Sequence, residues 1–398
     1  MQHLSEWKHK YVGPLPGIVA ILVLSWSGFA SARTFGDPLP GLTADQGALF
    51  DVGRDDFREV QIAADGLGPI FNAQGCAICH AVPAVGGSSS RNEVRAGVLQ
   101  GLVFDPLANQ GGSLFQIFAL RAECREFVPP EANVIAERQT QPLFGMGLIE
   151  AIPRTTIEAG AVPKGDGIFG KVPNGRFGWK GQVPTLLDFS GDAYLNEMGI
   201  TNDLFPNENA PNGNAQTLAA CDAVPDPEDE AVAVTLPSGT VVNLRGIDNF
   251  TNFMTFLAPP PRGNITADAV AGEAVFNNIG CAKCHTPSMR TDPSHPIAAL
   301  RDKEVNLFSD LLLHDVGDTD GDGIPGDGIA DGNAGPNELR TPPLWGLRAS
   351  GPFLHDGSAK TIEQAILAHG GEASAVIARF LALGRTERFQ LLAFLNSL

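Results

Sequence analysis

Two stretches of the chain carry apolar residues at the spacing of an amphipathic helix. The first stops at a run of prolines, and its apolar residues are Leu244, Ile247, Phe250, Phe253, Met254 and Leu257. The second ends the chain, and its apolar residues are Phe389, Leu391, Leu392, Phe394 and Leu395. This spacing predicts two helices that each pack one face against a core. The run "PPPRG" at 259–263 predicts a stiff linker after the first helix.

Composition and charge narrow the possible functions. The 398 residues include 46 glycines and 30 prolines, which predicts long, turn-rich connections between modest helices. The length favours two or three domains. With 45 acidic against 27 basic residues, the net charge of −18 argues against nucleic-acid binding and favours encounter with a basic protein partner.

The N-terminal segment has the composition of an export signal. Lys8 and Lys10 precede a short apolar run, "IVAILVLSWSGFA", and Ala30-Ser31-Ala32 has the form of a cleavage site. The alternative is an uncleaved membrane anchor, but the run is shorter than the roughly 20 residues that a spanning helix needs. We therefore predict a signal peptide at 1–32 and no membrane span after its cleavage.

The pattern Cys-x-x-Cys-His occurs twice, in "GCAICH" and in "GCAKCH". A Cys-x-x-Cys pair is either half of a zinc site or the attachment point of a c-type haem. The histidine after the second cysteine favours haem, because the iron needs an axial ligand beneath the plane that two thioethers fix. A zinc site would need a second cysteine pair nearby, and neither copy has one. We predict two covalently bound haem c groups, held by Cys76, Cys79, His80, Cys281, Cys284 and His285.

The duplicated motif predicts two haem-binding modules. Similar text precedes both copies, with Phe71 and Phe276 in segments expected to be helical. The predicted modules span 33–258, with a long insertion, and 264–398, on either side of the linker at 259–263. Covalent haem attachment occurs outside the bacterial cytoplasm, so these motifs and the signal peptide together predict a periplasmic protein.

Several longer segments resemble a known family. "LRTPPLWGLRASGPFLHDG" and the residues after it resemble the C-terminal haem domain of the bacterial dihaem cytochrome c peroxidase superfamily. "FSDLLLHDVGD" and "GRFGWKGQVPTLLDF" resemble its di-haem oxidoreductase branch, whose members often carry the label thiol oxidoreductase. The resemblance runs from about residue 45 to the end and is poor at about 205–240. It implies a mainly α fold of two cytochrome c-like haem domains with long, loop-rich insertions.

The resemblance also implies a sixth ligand for the second haem. In the peroxidases that ligand lies fourteen residues after the histidine of the "HDG" motif, and the equivalent position here is His369. The family usually has methionine there, so this chain departs towards a bis-histidine haem of lower reduction potential. A surface histidine at a helix end is the alternative. His355 is expected to fix a loop by hydrogen bonds, and His314 to lie in a loop or at the haem edge.

The first haem has no obvious sixth ligand. Many of the peroxidases have a histidine at the position of Ala96, which cannot bind iron. Met146 is a candidate, but its apolar neighbours favour a place in the core. An open or water-filled distal face is therefore expected, and the chemistry would take place there.

Peroxide cleavage at an open haem needs a group that takes a proton from one oxygen and returns it to the other. By resemblance the candidate is Glu197, although it follows Trp179 two residues sooner than in the family. Glu150 is the reserve candidate. Trp179 itself would relay electrons between the haems, but "FGWKGQ" lacks the aspartate and arginine of the family's "FWDGR" motif. A purely structural tryptophan is the alternative.

Two calcium sites are candidates. Asp318, Asp320 and Asp322 repeat the opening of an EF-hand loop, although the closing glutamate is missing and a solvated acidic loop fits equally well. By resemblance, the backbone carbonyls of Ser350 and Pro352 would bind a calcium ion between the domains.

The remaining cysteines, Cys124 and Cys221, are expected to form a disulfide in an oxidising compartment, with free or redox-active thiols as the alternative. Taken together, we expect a dihaem oxidoreductase that reduces hydrogen peroxide with electrons from a small cytochrome c or cupredoxin. Oxidation of a thiol or another organic substrate is one alternative. A dihaem electron carrier without enzymatic activity is the other.

Overall fold

The computed structural model describes residues 33–101, 103–222, 224–317 and 326–398. The predicted signal peptide and the acidic loop with Asp318, Asp320 and Asp322 lie outside these ranges. Residues Thr34–Leu398 pack as one compact unit. Helix accounts for 34% of the residues and strand for 15%, so helices dominate a mixed fold.

Most helices are short and separated by long loops. The α-helices are α1 (Ala44–Phe57), α2 (Cys76–Cys79), α3 (Met146–Glu150), α4 (Arg154–Gly160), α5 (Leu186–Met198), α6 (Ala215–Cys221), α7 (Gly246–Phe256), α8 (Ala267–Ile279), α9 (Ile362–Leu367), α10 (Ser374–Ala382) and α11 (Arg385–Leu395). Helices α7 and α11 confirm the two amphipathic segments that the apolar spacing predicts. Among the described residues, no helix is both long and apolar enough to cross a membrane.

The strands form small antiparallel sheets. They are β1 (Ile70–Phe71), β2 (Asn92–Gln100), β3 (Val103–Asp105), β4 (Leu114–Phe115), β5 (Phe118–Ala119), β6 (Val134–Gln139), β7 (Val232–Thr235), β8 (Val241–Leu244), β9 (Met289–Arg290), β10 (Glu304–Val305), β11 (Leu313–Asp315) and β12 (Glu338–Arg340). Strand β2 pairs with β3, β4 and β6, and the other pairs are β1 with β5, β7 with β8, β9 with β10, and β11 with β12. The sheet around β2 adds a β component to a chain that the resemblance predicts to be mainly α.

Two helix pairs cross at a glycine. Helix α1 packs against α7, and α8 packs against α11. A Cβ atom at Gly53 would lie 2.2 Å from the carbonyl oxygen of Asn249 in α7. A Cβ atom at Gly272 would lie 1.9 Å from the carbonyl oxygen of Gln390 in α11. Each pair can therefore approach this closely only because the crossing residue has no side chain.

The apolar core of the described residues divides into two clusters, and each cluster includes residues from both halves of the chain. The first contains the buried faces of α1 and α7 but also Leu307, Leu312 and Trp345 from the C-terminal half. The second contains the buried faces of α8 and α11 but also Ile168 from the N-terminal half. Because packing crosses residues 259–263 in both directions, the domain boundary at this run stays a prediction.

The segment before the first Cys-x-x-Cys-His motif differs from its expected form. Phe71 lies in strand β1, whereas Phe276 lies in helix α8 as expected. Gly66 and Gly68 have positive φ angles of 95° and 88°, and Pro69 follows them. A helix cannot continue through such residues, so the helix expected around Phe71 is wrong.

The two leftover cysteines form the expected disulfide. The Cα atoms of Cys124 and Cys221 lie 5.9 Å apart, and the bond joins the short helical turn Ala122–Cys124 to the end of α6. Both residues are buried. This bond therefore ties the 205–240 insertion to the rest of the N-terminal half.

Candidate haem sites and their surroundings

The C-terminal motif opens onto a largely apolar cavity of about 280 Å³. Cys281 and Cys284 lie in its wall, and neither is in a disulfide. Helix α8 ends at Ile279, so Gly280, with φ 101°, turns the chain directly into the motif. Side chains from α8, α10 and α11 supply much of the apolar lining, including Phe276, Val376 and Leu391.

His285 and His369 face each other across this cavity. Their ring centroids are 6.4 Å apart, which is roughly the span of one metal ion between two imidazoles bonded at about 2 Å. The Nδ1 atom of His285 lies 3.2 Å from the carbonyl oxygen of Phe308, and that of His369 lies 2.7 Å from the carbonyl oxygen of Ala365. Since a carbonyl only accepts, both Nδ1 atoms donate, and Nε2 is the nitrogen that can bind iron.

The electrostatics of this histidine pair also suit metal binding. Burial, together with the neighbouring His369, lowers the pKa of His285 to about 4. Burial likewise lowers the pKa of His369. Both imidazoles are therefore neutral at pH 7, which is the form that ligates a metal.

His314 lines the same cavity but is held by carboxylates at both ring nitrogens. Its Nε2 lies 2.9 Å from Asp310 Oδ2 and its Nδ1 lies 2.8 Å from Glu372 Oε2. Although burial opposes it, these contacts raise the pKa of His314 to about 12. A protonated histidine cannot bind iron. His314 lies in strand β11 rather than in a loop, so the expected loop position is wrong, and its place at the haem edge stays a prediction.

His355 is buried beside the C-terminal cavity. Its backbone carbonyl accepts a hydrogen bond from the Gln139 amide at 2.6 Å, and its ring lies edge-on to the Trp179 ring at 6.3 Å. Its ring Nδ1 is buried without a hydrogen-bond partner among the described residues, so the loop-fixing role stays a prediction.

The N-terminal motif opens onto a second cavity of about 200 Å³. Cys76 and Cys79 lie in its wall, and neither is in a disulfide. The Nδ1 atom of His80 lies 3.0 Å from the Gly87 carbonyl oxygen, so Nε2 is again the nitrogen available to iron. Burial lowers the pKa of His80 to about 4. Among the described residues, no second histidine lines this cavity.

The position that holds a histidine in many of the peroxidases and the candidate ligand Met146 lie in different parts of the structure. Ala96 lies in β2 and does not line the N-terminal cavity. Met146 begins α3 and lies in the walls of both cavities, with its side chain packed into the first apolar cluster.

Polar and charged side chains fill one wall of the N-terminal cavity instead. Glu197, near the end of α5, accepts a hydrogen bond from Asn72 Nδ2 at 2.8 Å. The Glu93 carboxyl group lies close enough to influence its ionisation. Glu93 in turn lies 2.9 Å from Arg95 Nε and 3.7 Å from Arg138 Nη1. All five side chains line the cavity that contains His80.

The two glutamates have opposite pKa shifts. Burial, followed by the neighbouring charge of Glu93, raises the pKa of Glu197 to about 8. Burial also disfavours ionisation of Glu93, but Arg95 and Arg138 hold its pKa below the usual value. At neutral pH the pair therefore keeps one proton, on Glu197, next to an ionised Glu93.

The sheet around β2 builds this arrangement. Glu93 and Arg95 are two residues apart on β2 and so share a face, and Glu93 lies directly opposite Arg138 on β6. Arg138 also contacts Asp327 at 2.7 Å, which in turn contacts Lys180 at 2.8 Å. Our sequence reasoning missed these residues. The one local indication is the segment "RNEVRAG", in which charged residues occur at every second position, as on one face of a strand.

Trp179 lies between the two cavities. Five residues line both cavities: Gln139, Thr140, Gln141, Met146 and Trp179. The Trp179 indole Nε1 donates to the Gln139 carbonyl oxygen at 2.9 Å, which fixes the orientation of the ring. The position suits the expected relay role, which itself stays a prediction.

Other candidates lie apart from this arrangement. Glu150 lines neither cavity, and its Oε1 accepts a hydrogen bond from the Leu186 amide at 2.7 Å at the start of α5. Ser350 and Pro352 lie in the wall of the C-terminal cavity. Calcium binding at these carbonyls stays a prediction.

Both cavities fit a covalently attached haem better than a zinc ion. Each has two cysteine sulfurs and the imidazole of the motif histidine in its wall, and much of the remaining lining is apolar. Burial raises the pKa of Cys79 to about 11 and that of Cys281 to about 12, so both groups are thiols before any group is bound. Among the described residues, no cluster of metal-binding side chains contains both cysteines of one motif, as a zinc site built on that motif would require. Each site therefore has the donors for two thioethers and one axial ligand.

Two solved structures are distantly similar. Hydrazine synthase of Kuenenia stuttgartiensis, pressurised with xenon, has a TM-score of 0.41 and 15% identity, covering 97% of this chain and 100% of its own. A MauG-like protein associated with microbial copper homeostasis has a TM-score of 0.40 and 16% identity, covering 94% of this chain and 95% of its own. No curated protein sequence matches the chain.

A family match is more informative than these structures. Residues 130–398 match the family described as "Di-haem oxidoreductase, putative peroxidase". The match includes the second Cys-x-x-Cys-His motif but begins after the first. Haem binding at the first motif is therefore inferred from the residues of that motif and its cavity alone. Since the match covers more than half of the chain, this protein belongs to the di-haem oxidoreductase family.

Proposed function

We propose that this protein is a periplasmic dihaem c-type peroxidase that reduces hydrogen peroxide with electrons from a small redox protein. The observation that carries the proposal is the asymmetry of the two cavities. The C-terminal cavity has two imidazoles that face each other, His285 and His369. The N-terminal cavity has one imidazole, His80, and a carboxyl pair, Glu93 and Glu197.

Each haem, when bound, would supply an iron that gains and loses single electrons, and an iron with one protein ligand can also bind peroxide. Cys76, Cys79 and His80 would hold one haem, and Cys281, Cys284 and His285 would hold the other. His369 would complete the second site and keep substrates away from it.

The carboxyl pair would manage protons during peroxide cleavage. The overall reaction consumes one peroxide molecule, two protons and two electrons and releases two molecules of water. The ionised Glu93 can take up a proton through Glu197, and Glu197 can deliver one to the departing oxygen. Arg95 and Arg138 keep Glu93 ionised. The pair would thus act as one unit that both accepts and returns protons.

Electrons would arrive at the C-terminal site and cross by way of Trp179, which lies against both cavities. The net charge of −18 would steer a basic cytochrome c or cupredoxin towards the protein. Such steering weakens as ionic strength rises.

A combined spectroscopic and kinetic experiment tests the proposal. Mass spectrometry of exported protein should show two covalent haems, and the ferric spectrum should show one high-spin and one low-spin centre. Cyanide should bind to one haem, and peroxide should be consumed when a reduced donor is supplied. Two low-spin haems that bind no cyanide would support an electron carrier instead. Zinc in place of haem would exclude both readings.

A further inference from the structure

Arg340 is a buried cation in the wall of the C-terminal cavity. It is the last residue of strand β12 and pairs with Leu313 in β11. Only 1% of its surface is exposed to solvent, and it lines the cavity. Its Nε donates to the Gly178 carbonyl oxygen at 2.9 Å, and its backbone amide donates to the Trp179 carbonyl oxygen at 2.8 Å. These bonds tie Arg340 to the loop that carries Trp179.

The remaining contacts of this guanidinium are weak and neutral. Its Nη1 lies 3.3 Å from the Thr341 carbonyl oxygen and its Nη2 lies 3.5 Å from Gln141 Oε1. Among the described residues, no carboxylate lies within ion-pair distance of it. Burial lowers the pKa of Arg340 to about 10, so the group remains charged at neutral pH.

The other buried basic side chains show what Arg340 lacks. Arg138 and Lys180 are also almost fully buried, and both contact the carboxylate of Asp327, at 2.7 Å and 2.8 Å. A buried charge is costly unless an opposite charge pairs with it. Among the described residues, Arg340 is therefore the buried basic side chain that has no acidic partner in the protein chain.

The cavity indicates what that partner is. A haem held by Cys281 and Cys284 would carry two propionate carboxylates, and Arg340 lines the cavity that would contain this haem. A planar guanidinium binds a carboxylate through two parallel hydrogen bonds, and its Nη atoms are the ones with only long contacts. We propose that Arg340 binds a propionate of the C-terminal haem and thereby fixes the edge of that haem against the Trp179 loop.

This inference rests on the proposed haem attachment but not on peroxide reduction. It has an electrostatic consequence. A fixed positive charge at the haem edge favours the reduced iron, so Arg340 should raise the reduction potential of the C-terminal haem relative to a neutral residue. The N-terminal haem, whose cavity Arg340 does not line, should change little.

An experimental structure of the wild-type protein with both haems is the direct test. A guanidinium nitrogen of Arg340 should lie about 3 Å from a propionate oxygen of the C-terminal haem. If both propionates point away and Arg340 contacts only carbonyl oxygens, the inference is overturned. A protein without covalent haem would instead reject the proposed function, so the two failures are distinguishable.

Potentiometric titration of variants tests the consequence. Arg340→Met should lower the reduction potential of the C-terminal haem. The one-electron equilibrium should shift at least tenfold towards the oxidised form, which corresponds to 59 mV. Arg340→Lys should recover most of this shift because the charge remains. As a control, Arg154→Met should leave both potentials unchanged, since Arg154 pairs with Glu158 and lines neither cavity. An Arg340→Met protein with two haems and an unaltered potential would contradict the inference, and the wild-type structure decides the matter if this variant does not fold.

Discussion

The two Cys-x-x-Cys-His motifs are nearly identical in sequence, yet their surroundings differ. At the C-terminal site, helix α8 runs straight into the motif, and a second histidine faces the first across an apolar cavity. At the N-terminal site, strand β1 and a series of turns separate helix α1 from the motif, and charged side chains from the β2 sheet form one wall. The comparison teaches that two nearly identical motifs can lie in very different surroundings, and that residues far from each motif would decide what a haem bound there can do.

Replacing Glu197 with glutamine should have the largest effect on this comparison. If the carboxyl pair is what makes the N-terminal site reactive, peroxide turnover should slow by roughly 10²–10⁴-fold, the usual contribution of a general acid–base. Haem content and the low-spin spectrum should not change. Glu150→Gln is the matched control, because Glu150 lines neither cavity, and it should retain activity. Equal turnover in the wild type and Glu197→Gln would remove the pair from the mechanism.

Removing the second histidine should make the two sites more alike. His369→Ala should convert the low-spin haem to a high-spin or water-ligated one, since His285 would remain as its one protein ligand. His369→Met should stay six-coordinate and raise the potential of this haem. Optical spectra and redox titration of both variants check this. A His369→Ala protein with an unchanged spectrum would mean that another residue is the sixth ligand.

The pH dependence of turnover should reflect the N-terminal site alone. The pKa of Glu197 is raised to about 8, so its proton is present below that pH and is lost as pH rises through it. Turnover should therefore fall about tenfold per pH unit above 8, as expected for an essential acid. A profile of kcat from pH 6 to pH 10 measures this, and Glu197→Gln should abolish the decline. A decline that persists in this variant would assign it to another group.

Substitutions of the glycines at the two helix crossings should test a feature that both halves share, the close approach of two helices. Gly53→Ala and Gly272→Ala would each bring a Cβ atom against a backbone carbonyl, and overpacking of this kind costs about 1–3 kcal/mol. Thermal unfolding should show a lower Tm for both. Gly47→Ala in α1 is the control, since nothing lies within 4 Å of its Cβ position, and it should be neutral or slightly stabilising. A Tm unchanged by both crossing variants would mean that the helix pairs can separate without cost.

The sequence alone determined the features that depend on neighbouring residues. The spacing of apolar side chains predicted α7 and α11, because helix periodicity is local. The order of cysteines and histidine predicted which residues meet at each cavity wall for the same reason, and haem attachment at these residues stays a prediction. Counting from His355 to His369 placed a histidine that faces His285 in the fold. The local reasoning was wrong at Phe71, where two glycines and a proline prevent the helix that the parallel with Phe276 suggested.

Tertiary structure decided the features that depend on distant residues. Glu93 meets Glu197 only because the register of β2 and β6 and the end of α5 bring them to one cavity wall. Arg340 lies between the Trp179 loop and the C-terminal cavity because β12 pairs with β11. Such contacts join residues more than a hundred positions apart, and nothing in the local pattern specifies them. The proposed haem attachment points are thus specified by short motifs, because their residues are adjacent in the chain, whereas the surroundings of these motifs are set by how distant segments pack around them.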